Sequence, residues 1–248
     1  MSNKAPWHFG MKYAGKTVEW LPTDTEESYR KLIQEPRHQE HFRRHGWDRP
    51  GAITYQINSN GFRAPEFESG TANIVTLGCS YSIGIGLPVE SIWPSLVGQA
   101  LDLIVYNLSW GGTSADTCFM LAQYWVPRLK PQLVVMCAPP KHRFDLITED
   151  AQLPHNTYMP GMTDITDRAI QQWLINDRNA DLNNAKNKLA VQGLCNELGI
   201  PCLTYDAHDY FARSREEIGY ARDYMHAGPQ GHEIFAERVL DDWRKKYT

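Results

Sequence analysis

Four short apolar runs, each set against helical patterns, constrain this chain more than any other feature. They occupy 73–78 (NIVTLG), 103–108 (LIVYNL), 133–137 (LVVMC) and 200–205. The first three close on Gly78, on Gly111 and Gly112, and on Pro139 and Pro140. Helical patterns follow at 91–101, 114–129, 167–198 and 229–246, the third stopped by Gly199 and the last opened by Pro229. Apolar side chains at successive positions must be covered on both faces of a strand, which is the situation of a parallel strand with helices on each side. Strand, helix and strand in alternation predict right-handed βαβ units and an α/β fold with a doubly wound parallel sheet. In such sheets ligands bind outside the carboxyl ends of the strands, so the strand-end turns are where chemistry is expected.

The first 70 residues read differently, being rich in Trp, His, Arg and Pro with weak periodicity. A helix is predicted over 25–34, opened by Thr25 and acidic residues and stopped by Pro36. Arg37, His38, His41, Arg43, Arg44, His45 and Arg49 form either an anion-binding face or a solvated, internally paired surface. Ile53, Tyr55 and Ile57 alternate with polar residues as in a half-exposed strand, and 58–61 reads as a turn. The expected division is an N-terminal extension, 1–70, packed on a core domain, 71–248.

Composition narrows the function. Of 248 residues 42% are apolar and 22% charged, and the formal net charge of -4 gives no basic footprint for nucleic acid. No apolar run approaches the roughly 18 residues of a membrane helix. Nor do the first residues resemble a signal peptide, so the expected location is cytoplasmic. Cys79, Cys118, Cys137, Cys195 and Cys202 are odd in number and lack paired metal spacing, which reads as free thiols. Asp206, His208, Asp209, Asp223, His226 and His232 match no zinc motif, and no metal or cofactor is expected.

The first strand ends in Gly78-Cys79-Ser80-Tyr81-Ser82-Ile83-Gly84. A serine just past a buried strand and flanked by glycine is placed either as a nucleophile, with its own N–H turned toward an oxyanion, or as part of an ordinary or phosphate-cradling turn. No Gly-Lys-Ser/Thr follows, which argues against a P-loop. Near the C-terminus Asp223 precedes His226 by three residues, just before a helix. That spacing suits a carboxylate that orients an imidazole base, or else a helix cap beside a surface histidine. After the second strand, Gly112 can bring a backbone N–H to an oxyanion, or simply supply a positive φ. Trp110, at the same strand end, belongs to a ligand cleft or to the core, whereas Trp93 and Trp125 lie in helical patterns and read as core.

Taken together these blocks resemble the SGNH, or GDSL-like, hydrolase superfamily. Gly78-Cys79-Ser80 is similar to its Gly-Asp-Ser block, and Asn107 with Gly112 to its second block. Asp223, His226, Gly231 and His232 are similar to its Asp-x-x-His block with the following Gly-His. The segment ITYQINSNGFR also resembles a strand-and-turn prelude found before this domain in other members, some in phage genomes. The resemblance implies a flavodoxin-like sheet and a serine esterase acting on a small-molecule or carbohydrate ester, such as an O-acetyl group on a sugar. The same triad would serve an acyltransferase, and an inactive member would be a binding or structural module, virion-associated if phage-encoded. It implies Ser80 as nucleophile, His226 as base, Asp223 as its orienting acid, and the N–H groups of Ser80 and Gly112 as oxyanion donors. Two positions depart from the pattern. Cys79 stands where the family has Asp, and the third block, Gly-x-Asn-Asp, is absent. At that strand end stand Pro140, Lys141, His142 and Arg143, of which Arg143 is the expected oxyanion or substrate contact.

Overall fold

The computed structural model describes residues 5–6, 8–49, 51–147, 155–160, 162, 165–213 and 215–247. The N-terminal part forms a small layer in which β1 (Thr17–Val18), α1 (Glu26–Leu32) and α2 (Pro36–His45) precede β2 (Tyr55–Gln56), the antiparallel partner of β1. The Thr25 hydroxyl caps α1 by accepting from the Ser28 N–H. Pro36 not only ends that segment but opens α2, at a position whose N–H has no intrahelical acceptor. The basic stretch is thus mostly helix, with His38 and Phe42 buried and Arg43, Arg44 and His45 exposed. One apolar stripe residue among ten left no periodicity to read. The predicted strand at 53–57 pairs only at Tyr55 and Gln56, yet its alternation holds: Ile53, Tyr55 and Ile57 are buried, Thr54 and Gln56 exposed.

The core follows in the order β3 (Asn73–Leu77), α3 (Ser80–Ile83), α4 (Trp93–Leu101), β4 (Ile104–Asn107), α5 (Ala115–Leu129) and β5 (Leu133–Ala138). An antiparallel pair, β6 (Phe144–Ile147) and β7 (His155–Tyr158), follows β5. Then come α6 (Arg168–Leu174), α7 (Asp177–Glu197), β8 (Cys202–Asp206), α8 (Ala207–Phe211), α9 (Arg215–Ile218) and α10 (Pro229–Tyr247). The single helix expected over 167–198 is broken at Asn176, whose side chain caps α7 by accepting from the Asn179 N–H.

The four core strands are parallel and ordered β4-β3-β5-β8, which in order of succession is 2-1-3-4, the flavodoxin-like order. Their side chains alternate between two cores. Val75, Leu77, Val134 and Met136 pack with Leu121 and Trp125 of α5 and Val191 and Cys195 of α7. Ile74, Leu133, Val135 and Cys137 pack on the opposite face with Trp93 and Val97 of α4 and Phe235 and Val239 of α10. This is the doubly wound sheet the apolar runs predicted. The exception is β4, an edge strand whose Ile104 is exposed. A third core joins the N-terminal layer to the carboxyl edge of the sheet: Leu21, Phe42, Trp47, Ile53 and Tyr55 pack with Ile83, Ile85, Leu87 and Trp110. Buried Arg63 ties the same regions by donating to the carbonyls of Thr54, Ile83, Gly84 and Leu87. All five cysteines are buried and unpaired by disulfides. Among the described residues no helix is long and apolar enough to cross a membrane.

Candidate active site

Ser80 is placed by a turn that only glycine permits. A Cβ on Gly78 would lie 2.2 Å from Ser82 Oγ and 3.0 Å from the Cys137 carbonyl oxygen. The chain therefore passes flush against β5 before turning into α3, of which Ser80 is the first residue. The Thr113 hydroxyl bridges this turn to the next strand end, 3.0 Å from the Gly78 carbonyl and 2.9 Å from that of Trp110. Asn107 Nδ2 donates to the Ser82 carbonyl at 2.8 Å, and its Oδ1 accepts from the Ser109 N–H. The asparagine of the second block thus fastens α3 to β4. Cys79, one residue before the serine, is fully buried.

The segment 220–227 is a tight loop closed by a bridge between Tyr220 and Ala227. Within it the two oxygens of Asp223 do different work. Oδ1 accepts the N–H groups of Met225 and His226, both at 3.0 Å, which is what a carboxylate does for the two or three residues that follow it in a turn. Oδ2 meets His226 Nδ1 at 2.6 Å and accepts the Thr23 hydroxyl at 2.7 Å. The three-residue spacing of Asp and His is therefore the spacing of a turn that binds its own imidazole. Burial alone would push the Asp223 carboxyl up, but the His226 hydrogen bond and charge and the Thr23 hydroxyl outweigh it and hold it below the ordinary carboxylate value. With Nδ1 facing a carboxylate, that nitrogen carries the ring proton and Nε2 is the basic one.

These elements meet at a cavity of 440 Å³ outside the carboxyl ends of the strands. Ser80, His226, Gly111, Gly112, Trp110 and Arg143 all line it, and Asp223 sits behind His226. Much of the remaining wall is apolar: Leu21, Ile83, Ile85, Met159 and Met225. Ser80 and His226 face the same space. A Cβ on Gly111 would come 4.0 Å from the Ser80 Cβ, whereas Gly112, at φ +81°, faces Met159. Both glycines line the cavity with Ser80. Sequence reasoning missed Thr23, which lies two hundred residues from its partner.

Structure separates the three cations after β5. Lys141 is drawn to Asp177 and Asp181, and His142 to Asp177 and the Leu174 carbonyl. Arg143 turns into the cavity and donates to the Thr113 carbonyl at 3.3 Å, with no carboxylate partner among the described residues. Trp93 and Trp125 belong to the two cores. His232 is fully buried, accepts the Trp93 N–H at Nδ1 and is pushed down to about 3, by burial first and then by the charges of His226 and Arg63. Among the described residues no three His, Cys, Asp or Glu side chains converge as a metal site would require.

No family model and no curated protein matches this sequence. Among solved structures the chain is similar to a lipolytic protein of the G-D-S-L family from Desulfitobacterium hafniense, at 14% identity over 68% of this chain and 98% of that one, with a TM-score of 0.35. It is also similar to the psychrotrophic esterase EstA from Pseudoalteromonas sp., at 13% identity over 70% and 97% of the two chains and a TM-score of 0.40. An acetyl xylan esterase from the rumen bacterium Butyrivibrio proteoclasticus aligns at 12% identity over 80% of this chain and 68% of that one, with a TM-score of 0.38.

Proposed function

We propose that this chain is a serine esterase of the SGNH type, with Ser80 as nucleophile, His226 as general base and Asp223 as the acid that orients it. The observation that carries the reading is the 2.6 Å Asp223–His226 contact beside a cavity that Ser80 also lines. Attack of Ser80 Oγ on the acyl carbon sends its proton to His226 Nε2 and leaves a tetrahedral oxyanion. The N–H groups of Ser80 and Gly112, with that of Gly111 beside them, are the donors for that oxygen, and Arg143 supplies the charge where the family's asparagine is missing. His226 then protonates the departing alcohol. It next takes a proton from water, which attacks the acyl-enzyme, and the collapsing intermediate releases the acid as His226 returns that proton to Ser80 Oγ. Asp223 stays ionised throughout and stabilises the imidazolium.

The substrate class proposed is a small acyl ester, an O-acetyl group on a carbohydrate; Trp110, buried in the third core, backs the cavity wall and offers no open ring face to a sugar. The test is mass spectrometry of the intact protein after treatment with a fluorophosphonate, alongside hydrolysis of activated acetyl and longer-chain esters. One adduct is expected on the wild type and none on Ser80→Ala, whose kcat falls on the order of 10⁶-fold. Faster turnover of acetyl than of longer acyl groups is expected. A wild type that is neither labelled nor active would make the chain a binding or structural module. Acyl transfer to an added sugar in preference to water would make it a transferase.

A further inference from the structure

We propose that Thr23 is a positioning residue of the site: its hydroxyl, delivered by the N-terminal layer, holds the Asp223 carboxylate in the plane in which it meets His226. The proposal rests on the esterase reading for what the Asp223–His226 pair is for, and on the contacts of Thr23 for the rest. Thr23 Oγ1 donates to Asp223 Oδ2 at 2.7 Å, the same oxygen that lies 2.6 Å from His226 Nδ1. The turn itself engages Oδ1 through the N–H groups of Met225 and His226. The other donors to this carboxylate, the Met225 and His226 N–H groups and His226 Nδ1, all belong to its own turn and move with it, so Thr23, from outside the turn, is what fixes its plane against the rest of the fold.

The segment that carries Thr23 is built to hold it there. Thr23 has φ +76°, a left-handed conformation that a β-branched residue rarely adopts and that persists only where its surroundings impose it. Those surroundings are its neighbour's. Asp24 is buried, accepts Arg222 Nε at 2.9 Å and Nη2 at 2.7 Å, and also takes the Tyr55 hydroxyl. Arg222 reaches further back to the Glu19 carbonyl. Two consecutive residues of the N-terminal layer therefore grip two consecutive residues of the site loop, Asp24 on Arg222 and Thr23 on Asp223. Leu21 and Pro22, beside them, line the cavity. A segment that merely covered a core would need neither the strained threonine nor a hydroxyl aimed at a carboxylate.

The experiment compares Thr23→Val, which keeps the shape and β-branching but loses the hydroxyl, with Thr23→Ser, which keeps the hydroxyl. Thermal unfolding of each is recorded first; if the valine variant is unfolded, Thr23→Ala replaces it as the variant without a hydroxyl. The loss of one hydrogen bond to a charged group is expected to lower kcat about ten- to a hundredfold with KM nearly unchanged, and serine is expected to restore most of it. In a Ser80→Ala background, which needs no turnover, the NMR resonance of the His226 Nδ1 proton should be lost to exchange without the hydroxyl and kept with serine. Unchanged kcat, a loss carried by KM, or a serine variant as poor as valine would overturn the proposal. A wild type that no fluorophosphonate labels overturns the esterase reading instead, and the NMR contrast alone then decides Thr23.

Discussion

At the scale of single residues, Arg143 is the informative position. In the superfamily that the sequence blocks resemble, a third block would place an amide donor at the end of β5. This chain has three cations there, and two of them, Lys141 and His142, are taken up by Asp177 and Asp181. Arg143 is left in the cavity with only a carbonyl for a partner among the described residues. A guanidinium is always charged and presents a fork of donors, which an ammonium cannot reproduce. Arg143→Ala is expected to lose on the order of 10²-fold in kcat on both a neutral and an anionic activated ester, and Arg143→Lys to recover only part. A loss confined to the anionic ester would make Arg143 an anchor for substrate charge.

At the scale of elements, the site depends on a loop that crosses from α3 to the Asp–His loop. Gly86, at φ +77°, lies where a Cβ would come 3.0 Å from the Arg222 nitrogen and 3.1 Å from that of Asp223. Its carbonyl accepts the Arg222 N–H, and its own N–H donates to the Tyr55 hydroxyl. This one residue brings the loop after Ser80, the N-terminal layer and Asp223 into register. Gly86→Ala combines a left-handed backbone with contact against backbone atoms that cannot yield. It is expected to cost about 2 kcal/mol or more of stability, read as a lower urea midpoint at unchanged slope. Breaking the buried Asp24–Arg222 pair by Asp24→Ala is expected to cost more, roughly 3–5 kcal/mol, because it strands a charge that is almost wholly buried.

At the scale of the whole molecule, one face of the sheet carries a buried group that makes it sensitive to acid. On that face His232 joins α10 to the start of α4 by accepting the Trp93 N–H, and burial holds it neutral. Its value drops from 6.5 in the unfolded chain to about 3 in the folded one. A group whose folded value is depressed contributes its stability fully above the unfolded value and loses it as the pH falls. From 6.5 down toward 3 the folded protein should therefore lose about 1.4 kcal/mol per pH unit through this residue alone. His232→Asn, which keeps an acceptor for Trp93, should flatten the dependence of unfolding free energy on pH across that window. Asp223 enters only later, since its carboxyl is held below the ordinary 3.8 and its contribution survives until the pH falls beneath that.

How much of this was legible beforehand follows from where each signal lies along the chain. The parallel sheet could be read because burial on both faces leaves a continuous apolar run, and NIVTL and LVVMC are such runs. The turns at Gly78 and at Asp223–His226 could be read because close backbone approach and the hydrogen bonding of a carboxylate to its own turn are local requirements. The second helix of the basic stretch and the β6–β7 pair could not, since their residues carry weak periodicity and owe their form to what they pack against. At the site, sequence named the serine, the histidine and the aspartate by type and spacing. Only the tertiary structure decided which glycine lies against Ser80, which of three cations enters the cavity, and that Thr23 reaches Asp223. Those facts depend on packing between segments far apart in the chain, and no local pattern of residues encodes a contact whose other half lies two hundred positions away.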